Sequence, residues 1–262
     1  MGNYDLRKVT LSATGPLLQT VAFRLSGNVH ERDGYMDNAG GKDLNSADDW
    51  NLIGKLLWEP DNTWSILLTG SHVERDNTCC EADARQDESV ERELAAQGYT
   101  VLPNDPWDYK VAVNLDSDFT LEADTLSLVV DYYQDWGSIK SITAWNESSA
   151  STNSDFDRSE LDIMSQVNGV SEGDSISQEL RFTSRWKQLD YMAGLFYYEQ
   201  TTDGGNGDPY IFLGDDFLTI AGQQDLEDLL PAGVPIRLAA QPGDSVSADV
   251  RLETETFAVF GQ

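Results

Sequence analysis

Hydrophobic and polar residues alternate one by one along much of the chain, which is the pattern of a β-strand with one apolar face. Val21, Phe23 and Leu25 share one phase, whereas Arg24 and Asn28 share the other. The same alternation occurs at 9–13, 50–59, 125–132 and 176–182, and the segments 139–145, 191–199 and 253–262 are strand-rich but ambiguous in phase. Together these segments predict an all-β chain with about nine strands.

The connections between the predicted strands alternate in length. Residues typical of tight turns predict short connections at Gly15-Pro16, Pro60-Asp61-Asn62, Trp136-Gly137 and Lys187-Gln188. Long loops are expected at about 31–49, 74–124, 148–173 and 202–248. Within them, helix formers predict short helices at 83–97, where Gly98 would end the helix, and at 223–230.

Short turns at one end and long loops at the other are typical of outer-membrane barrels. We therefore predict that residues 1–262 form one unit, part of the wall of an antiparallel transmembrane β-barrel with short periplasmic turns and long extracellular loops. No segment approaches the roughly 18 to 20 consecutive apolar residues that a membrane helix needs, whereas a transmembrane strand needs about ten residues with one apolar face.

Four tryptophans lie beside the predicted short turns: Trp58, Trp64, Trp136 and Trp186. At that position they would form an aromatic girdle at one edge of a bilayer. The alternative is that they fill the core of a soluble β-sandwich.

The charge is strongly negative, with 17 Lys and Arg against 46 Asp and Glu and a net charge of −29. This excess argues against nucleic acid as a partner, because proteins that bind phosphate backbones cluster basic residues. Much of the negative charge falls in the predicted loop that follows Val73. The mean hydropathy of −0.43 therefore averages an apolar wall with acidic loops.

The sequence contains no arrangement typical of a catalytic site, so we expect no enzymatic activity and no cofactor. The adjacent Cys79 and Cys80 predict a loop feature or a strained vicinal disulfide more than a metal site, because the two histidines are not at a suitable spacing. Two Asp-x-Asp pairs could share a divalent ion, or could be solvated loop carboxylates: Asp116 with Asp118, and Asp155 with Asp157.

Residues that could contact a small-molecule substrate fall into two groups. Arg24, Asn28 and His30 share the polar phase of one strand, which would face the lumen of a barrel. His30 could equally be a hydrogen-bonded residue of the wall. The second group consists of aromatic loop residues, which could stack on a planar or sugar ligand or pack the loops together: Tyr35, Tyr99, Trp107, Tyr210, Phe212 and Phe217.

Short segments throughout the chain resemble the barrel of TonB-dependent outer-membrane receptors of Gram-negative bacteria. They occur in the order of that family: Gly2 to Leu6, Gly15-Pro16-Leu17, Glu31 to Tyr35, Asp37-Asn38, Gly41 to Asn45, Gly54 to Pro60, Ser141 to Trp145, Ser177 to Arg181, Ala193 to Tyr197 and Phe257 to Gln262.

The resemblance implies a barrel of about 22 strands, filled by an N-terminal plug, that takes up a scarce solute such as a ferric siderophore. It also implies an outer-membrane location, contact with lipid and lipopolysaccharide, and coupling to the TonB complex through a region that precedes the plug. No signal peptide, TonB box or plug is present in the chain, so we expect it to be a fragment of such a receptor. The alternative from composition is a secreted, acidic, Ca²⁺-associated β-sandwich or adhesin-like binding module.

Overall fold

The computed structural model describes residues 2–79, 88–103, 105, 107–187, 189–205, 210–218, 240–247 and 249–262, with only the backbone of Trp186. In chain order the elements are β1 (Arg7–Leu18), β2 (Val21–Arg32), β3 (Asp37–Asn38), β4 (Ala47–Trp58), β5 (Trp64–Thr78), α1 (Glu88–Gln97), β6 (Lys110–Val111), β7 (Asp118–Gln134), β8 (Gly137–Asp155), β9 (Met164–Trp186), β10 (Leu189–Gly204), β11 (Ile211–Leu213), β12 (Ser245–Val246) and β13 (Val250–Gly261). None of the helices in these ranges has the length and hydrophobicity needed to cross a membrane.

The long strands form one antiparallel sheet in which each pairs with the next long strand along the chain, in the order β1-β2-β4-β5-β7-β8-β9-β10-β13. Within the described residues this sheet is open, since β1 and β13 each have a neighbour on one side. The predicted meander of about nine antiparallel strands is confirmed.

The hairpin turns lie at one end of the sheet, the turn end, and the longer connections lie at the other, the loop end. The turn that was predicted at Gly15-Pro16 is wrong. β1 continues to Leu18, which pairs with Val21, and the turn falls at Gln19-Thr20. Pro16 is tolerated in β1 because this strand is at the edge of the described sheet, where the missing N–H interrupts no second ladder.

Several strands extend further towards the loop end than the alternation predicted. β8 and β9 pair up to Asp155 and Ser165, which leaves 156–163 as their connection, whereas the sequence predicted a loop at 148–173. β5 and β7 likewise pair up to Thr78 and Asp118. The extension of β8 is rich in Ser, Thr and Asn on both faces, so no apolar phase marks it.

The two faces of the sheet differ in polarity. The outer face carries Leu56, Leu68 and Leu128, which lie side by side on β4, β5 and β7. The inner face carries Lys55, Thr69 and Ser127 in the neighbouring row. Large apolar side chains of the outer face remain exposed, with Leu11 at 72% and Val259 at 70%.

Burial is confined largely to the loop end. Apart from Ala47, the buried hydrophobic residues of the described ranges lie outside the long strands, and they include Met36, Leu44, Leu94 and Leu161. A β-sandwich would instead bury one face of each sheet against the other. The sandwich alternative is therefore wrong, and the outer face has the pattern of a surface that contacts lipid.

Aromatic rings form a row across the outer face at the turn end. Neighbouring centroids are 4.5 Å apart for Trp64 and Tyr132, 6.3 Å for Tyr132 and Trp136, and 5.6 Å for Trp136 and Phe182, and Tyr191 continues the row. Trp58 is also exposed at this end. This row has the position and composition of an interfacial aromatic girdle. Trp186 was also predicted to belong to this girdle, but its side chain lies outside the described part of the structure.

Candidate binding surface at the loop end

A parallel pair of short strands joins two long connections. β3 pairs with β6, so that the loop 33–46 lies against the segment that leads into β7. Backbone hydrogen bonds flank the pair, from Asp37 N to Tyr109 O and from Ala39 N to Val111 O, each 2.9 Å. A small core packs beneath it, formed by Met36, Leu44, Val111 and Val113 with the half-buried Tyr35. The loops are therefore folded structures with their own interior.

A second core holds α1 against the β8–β9 connection. Val90 and Leu94 of α1 pack on the fully buried Leu161. The helix ends as predicted: Gly98 has φ +83°, and the N–H groups of Gly98 and Tyr99 donate to Ala95 O and Leu94 O. The predicted start of this helix near residue 83 and the predicted helix at 223–230 lie outside the described residues.

The carboxylates of the predicted Asp-x-Asp pairs mostly accept hydrogen bonds. Asp155 accepts from the backbone N–H groups of Asn114, Asp157 and Arg158, and Asn153 donates to both oxygens of Asp118.

The Asp157 carboxylate has a similar structural role. Its Oδ1 accepts from the N–H and the hydroxyl of Ser159, and its Oδ2 accepts from the N–H groups of Ile163 and Met164. Burial raises the pKa of the Asp157 carboxyl above its ordinary 3.8, although the four hydrogen bonds act to lower this pKa. These bonds hold the connection 156–163 in shape, and a cation shared with Asp155 remains a prediction.

Two of the three predicted inner-face residues of β2, Asn28 and His30, make polar contacts near the loop end. Asn28 accepts a 2.8 Å hydrogen bond from Thr10 Oγ1. His30 Nδ1 lies 3.1 Å from Asp49 Oδ2. Asn77 Nδ2 donates to the other oxygen of Asp49 at 3.1 Å, which links β2, β4 and β5. Arg24 lies on the same face, closer to the turn end, and is exposed.

Tyr35 is the centre of a larger aromatic group than the sequence indicated. Its ring centroid lies 6.2 Å from Tyr4 and 6.1 Å from Tyr109, edge-on to the latter. The guanidinium of Arg32 lies 5.0 Å from the Tyr35 centroid, and its Nη2 donates to Asn45 O. We call Tyr4, Arg32, Tyr35 and Tyr109 the Tyr35 cluster. Tyr4 and Tyr109 remain about half exposed, so their rings are available to a ligand.

Sequence reasoning missed Tyr4, Arg32 and Tyr109. Both tyrosines have φ near +59°, which non-glycine residues seldom adopt and which no alternation could signal. Beside the cluster, a cleft of about 500 Å³ opens at the ends of β2 and β4. Its charged lining is mainly acidic and consists of Arg32 and Lys42 with Glu31, Asp33, Asp43 and Asp48.

The other predicted aromatic residues lie apart from this group or are exposed. Trp107 is 78% exposed, and Tyr99 follows Gly98 at the end of α1. The backbone of Tyr210 hydrogen-bonds Val167 and Val246 beside β9, and Phe212 lies in β11 there. Four strands separate β2 from β9, so Tyr210 and Tyr35 belong to different parts of the loop end.

Cys79 is in a disulfide and donates its backbone N–H to Ser117 O at 3.0 Å. The predicted partner position, Cys80, lies outside the described residues.

No protein-family model and no curated protein matches the sequence. Solved structures do match the fold. The ferric yersiniabactin uptake receptor FyuA of Yersinia pestis aligns with a TM-score of 0.62 and 16% identity, over 78% of this chain and 30% of FyuA. The closed form of the ferric-catecholate import receptor Fiu of E. coli K12 aligns with a TM-score of 0.64 and 12% identity, over 99% of this chain and 37% of Fiu. The siderophore receptor PiuA of Acinetobacter baumannii aligns with a TM-score of 0.62 and 12% identity, over 99% of this chain and 38% of PiuA.

The chain thus has the fold of the barrel wall of TonB-dependent receptors, as the sequence resemblance predicted. It spans between 30% and 38% of the length of these three structures. At such low identity the match defines the fold alone.

Proposed function

We propose that this chain forms part of the barrel of a TonB-dependent outer-membrane transporter in a Gram-negative bacterium. The observation that carries the proposal is the inversion of burial: apolar side chains of the outer face are exposed, whereas buried cores lie in the loops. The aromatic row at the turn end supports a lipid interface there. Lipid and lipopolysaccharide would surround the outer face, and the TonB complex would act through a region outside this chain.

We further propose that the substrate is a scarce, bulky solute such as a ferric siderophore. Two features support this class. The Tyr35 cluster offers the half-exposed rings of Tyr4 and Tyr109, which suit a planar ligand. The three structures with the same fold are a ferric yersiniabactin uptake receptor, a ferric-catecholate import receptor and a siderophore receptor. Transport, without chemical change of the substrate, requires no catalytic residue.

The experiment is uptake of radioactive iron by cells that carry the full-length gene product as their only siderophore receptor. The cells are grown under iron limitation and supplied with ferric catecholates or ferric hydroxamates. We expect accumulation of at least one complex, and loss of accumulation in a strain that lacks the TonB complex. Fractionation should place the protein in the outer membrane. A protein recovered outside that membrane, or uptake that persists without TonB, would contradict the proposal.

A further inference from the structure

A histidine and two carboxylates converge on the outer face, close to the level where its apolar band ends. One ligand atom each from His72, Glu122 and Asp124 lies within 4.8 Å of the other two. His72 and Asp124 are directly opposite on β5 and β7, and Glu122 precedes Asp124 on the same face. Leu126 and Leu128 continue this face of β7 towards the turn end. The group is therefore at the boundary between apolar and polar surface.

The geometry points to a site for a divalent transition-metal cation of the Zn²⁺ class, held by His72, Glu122 and Asp124. Imidazole nitrogen with carboxylate oxygen is a donor set that zinc accepts, whereas Ca²⁺ and Mg²⁺ prefer oxygen donors alone. Three protein ligands leave a fourth position open to water or to an oxygen of a lipid headgroup. This inference rests on the outer face and is independent of the proposed transport.

One pair of the three ligands is close to the spacing of a loaded site. His72 Nδ1 and Asp124 Oδ1 are 2.9 Å apart. Two ligands at about 2.1 Å from a tetrahedral ion are about 3.4 Å apart, so this pair needs to separate by about half an ångström. All three ligands lie on paired strands, which limits their movement.

The imidazole is also held in place by a ring on the neighbouring strand. The centroids of Trp50 and His72 are 4.8 Å apart. Trp50 Nε1 donates a 2.9 Å hydrogen bond to Glu74 Oε2, which fixes the indole in turn. This aromatic contact restricts the orientation of the imidazole from outside the ligand set.

The surrounding charge favours a cation. Asp124 is directly opposite Glu147, an arrangement of like charges that destabilises a sheet. Glu147 is in turn directly opposite Asp174, which interacts electrostatically with Arg251 of β13. The described side chains on the outer face of β5, β7, β8 and β9 include no lysine or arginine. A bound cation would offset this repulsion and connect β5 to β7.

The chain provides a matched control, because its other histidine makes a similar pair. His30 Nδ1 lies 3.1 Å from Asp49 Oδ2, also across two paired strands. That pair lies on the inner face and is not part of a three-ligand group among the described residues. A change at His30 therefore tests the loss of a histidine–aspartate pair that has no third ligand, whereas a change at His72 tests the three-ligand site.

The test is zinc titration by calorimetry of the full-length protein in detergent, after removal of metals, together with visible absorption of the Co²⁺ form. We expect His72→Ala and Glu122→Gln each to weaken zinc binding at one site by at least about tenfold and to remove its Co²⁺ absorption. His30→Ala should retain both signals. Heat-dependent gel mobility checks that each variant is folded, and Glu122→Gln changes only an exposed side chain.

Three results would overturn the inference. Zinc affinity could be unchanged in both His72→Ala and Glu122→Gln, or it could fall equally in His30→Ala. Alternatively, Ca²⁺ could compete with zinc at equal affinity and still bind the His72→Ala variant, which would assign the position to carboxylates alone.

Discussion

At the scale of single residues, the side chain of Tyr35 could be selected from the sequence, whereas its contacts could not. Its selection as a loop aromatic required only the sequence, as did the choice of His30 from the polar phase of β2. The partners of Tyr35 could not be chosen in this way, because the β3–β6 pair brings Tyr109 to it from a distant segment. Side-chain chemistry is readable from sequence, whereas its convergence depends on tertiary pairing.

The ring of Tyr35 leads to a prediction about ligand binding. Tyr35→Ala removes the ring that connects Tyr4, Tyr109 and Arg32, whereas Tyr35→Phe keeps it. We expect Tyr35→Ala to raise the Kd of the siderophore taken up in the transport assay about tenfold, or about 1.4 kcal/mol. Tyr35→Phe should bind nearly as the parent does. Fluorescence titration of the detergent-solubilised protein measures both, and equal Kd values for all three proteins would exclude the cluster from the binding site.

The Asp157 carboxylate gives a prediction about loop stability. In Asp157→Asn an NH₂ group replaces one of the two acceptor oxygens. Depending on which oxygen is replaced, the NH₂ group faces the N–H groups of Ile163 and Met164, or the N–H and the hydroxyl of Ser159. We expect the connection 156–163 to lose about 1 to 3 kcal/mol of local stability. Limited proteolysis there should be faster, while Asp135→Asn at the turn end should leave the rate unchanged. A rate for Asp157→Asn equal to that of the parent would show that these bonds do not hold the loop.

At the scale of elements, the alternation of apolar and polar residues predicted where the strands lie. It did not predict where every strand ends or, in some segments, which residues face outwards. The segment 139–145 was ambiguous because the outer face of β8 and β9 carries Ser141, Thr143 and Gln178 between apolar neighbours. These side chains satisfy one another: Thr143 Oγ1 donates to Gln178 Oε1, and Gln178 Nε2 donates to Ser141 Oγ. Pairing therefore makes polar residues acceptable on an apolar face, which a pattern of single residues cannot reveal.

The end of α1 supplies a prediction for an element. Gly98→Ala would place a Cβ at φ +83°, in otherwise open space, so the cost is backbone strain alone. We expect about 1 to 2 kcal/mol of local destabilisation of the helix end. Hydrogen exchange at Gly98 and Tyr99 should accelerate relative to the parent, whereas an equivalent Gly243→Ala change should leave α1 unaffected. Unchanged exchange in Gly98→Ala would exclude the strain argument.

For the whole molecule, the opposite polarity of the two sheet faces leads to a test of the membrane assignment. Leu128 and Ser127 are neighbours on β7 but belong to the outer and inner faces. Leu128→Arg should destabilise the membrane-inserted protein by about 2 to 4 kcal/mol, whereas Ser127→Arg should have a much smaller effect. Refolding into lipid vesicles under a urea gradient measures both. Equal effects would show that the outer face does not contact lipid.

The same distribution of burial means that two solvents act on this chain. In the proposed membrane location, hydrocarbon would stabilise the sheet through its outer face, whereas exclusion of water stabilises the cores around Leu44 and Leu161. Bilayer thickness and lipid composition therefore act on the strands and leave the loop cores largely untouched. Urea, which weakens hydrophobic burial in water, acts on the loop cores. In that location, the loop cores and the sheet can lose their structure separately.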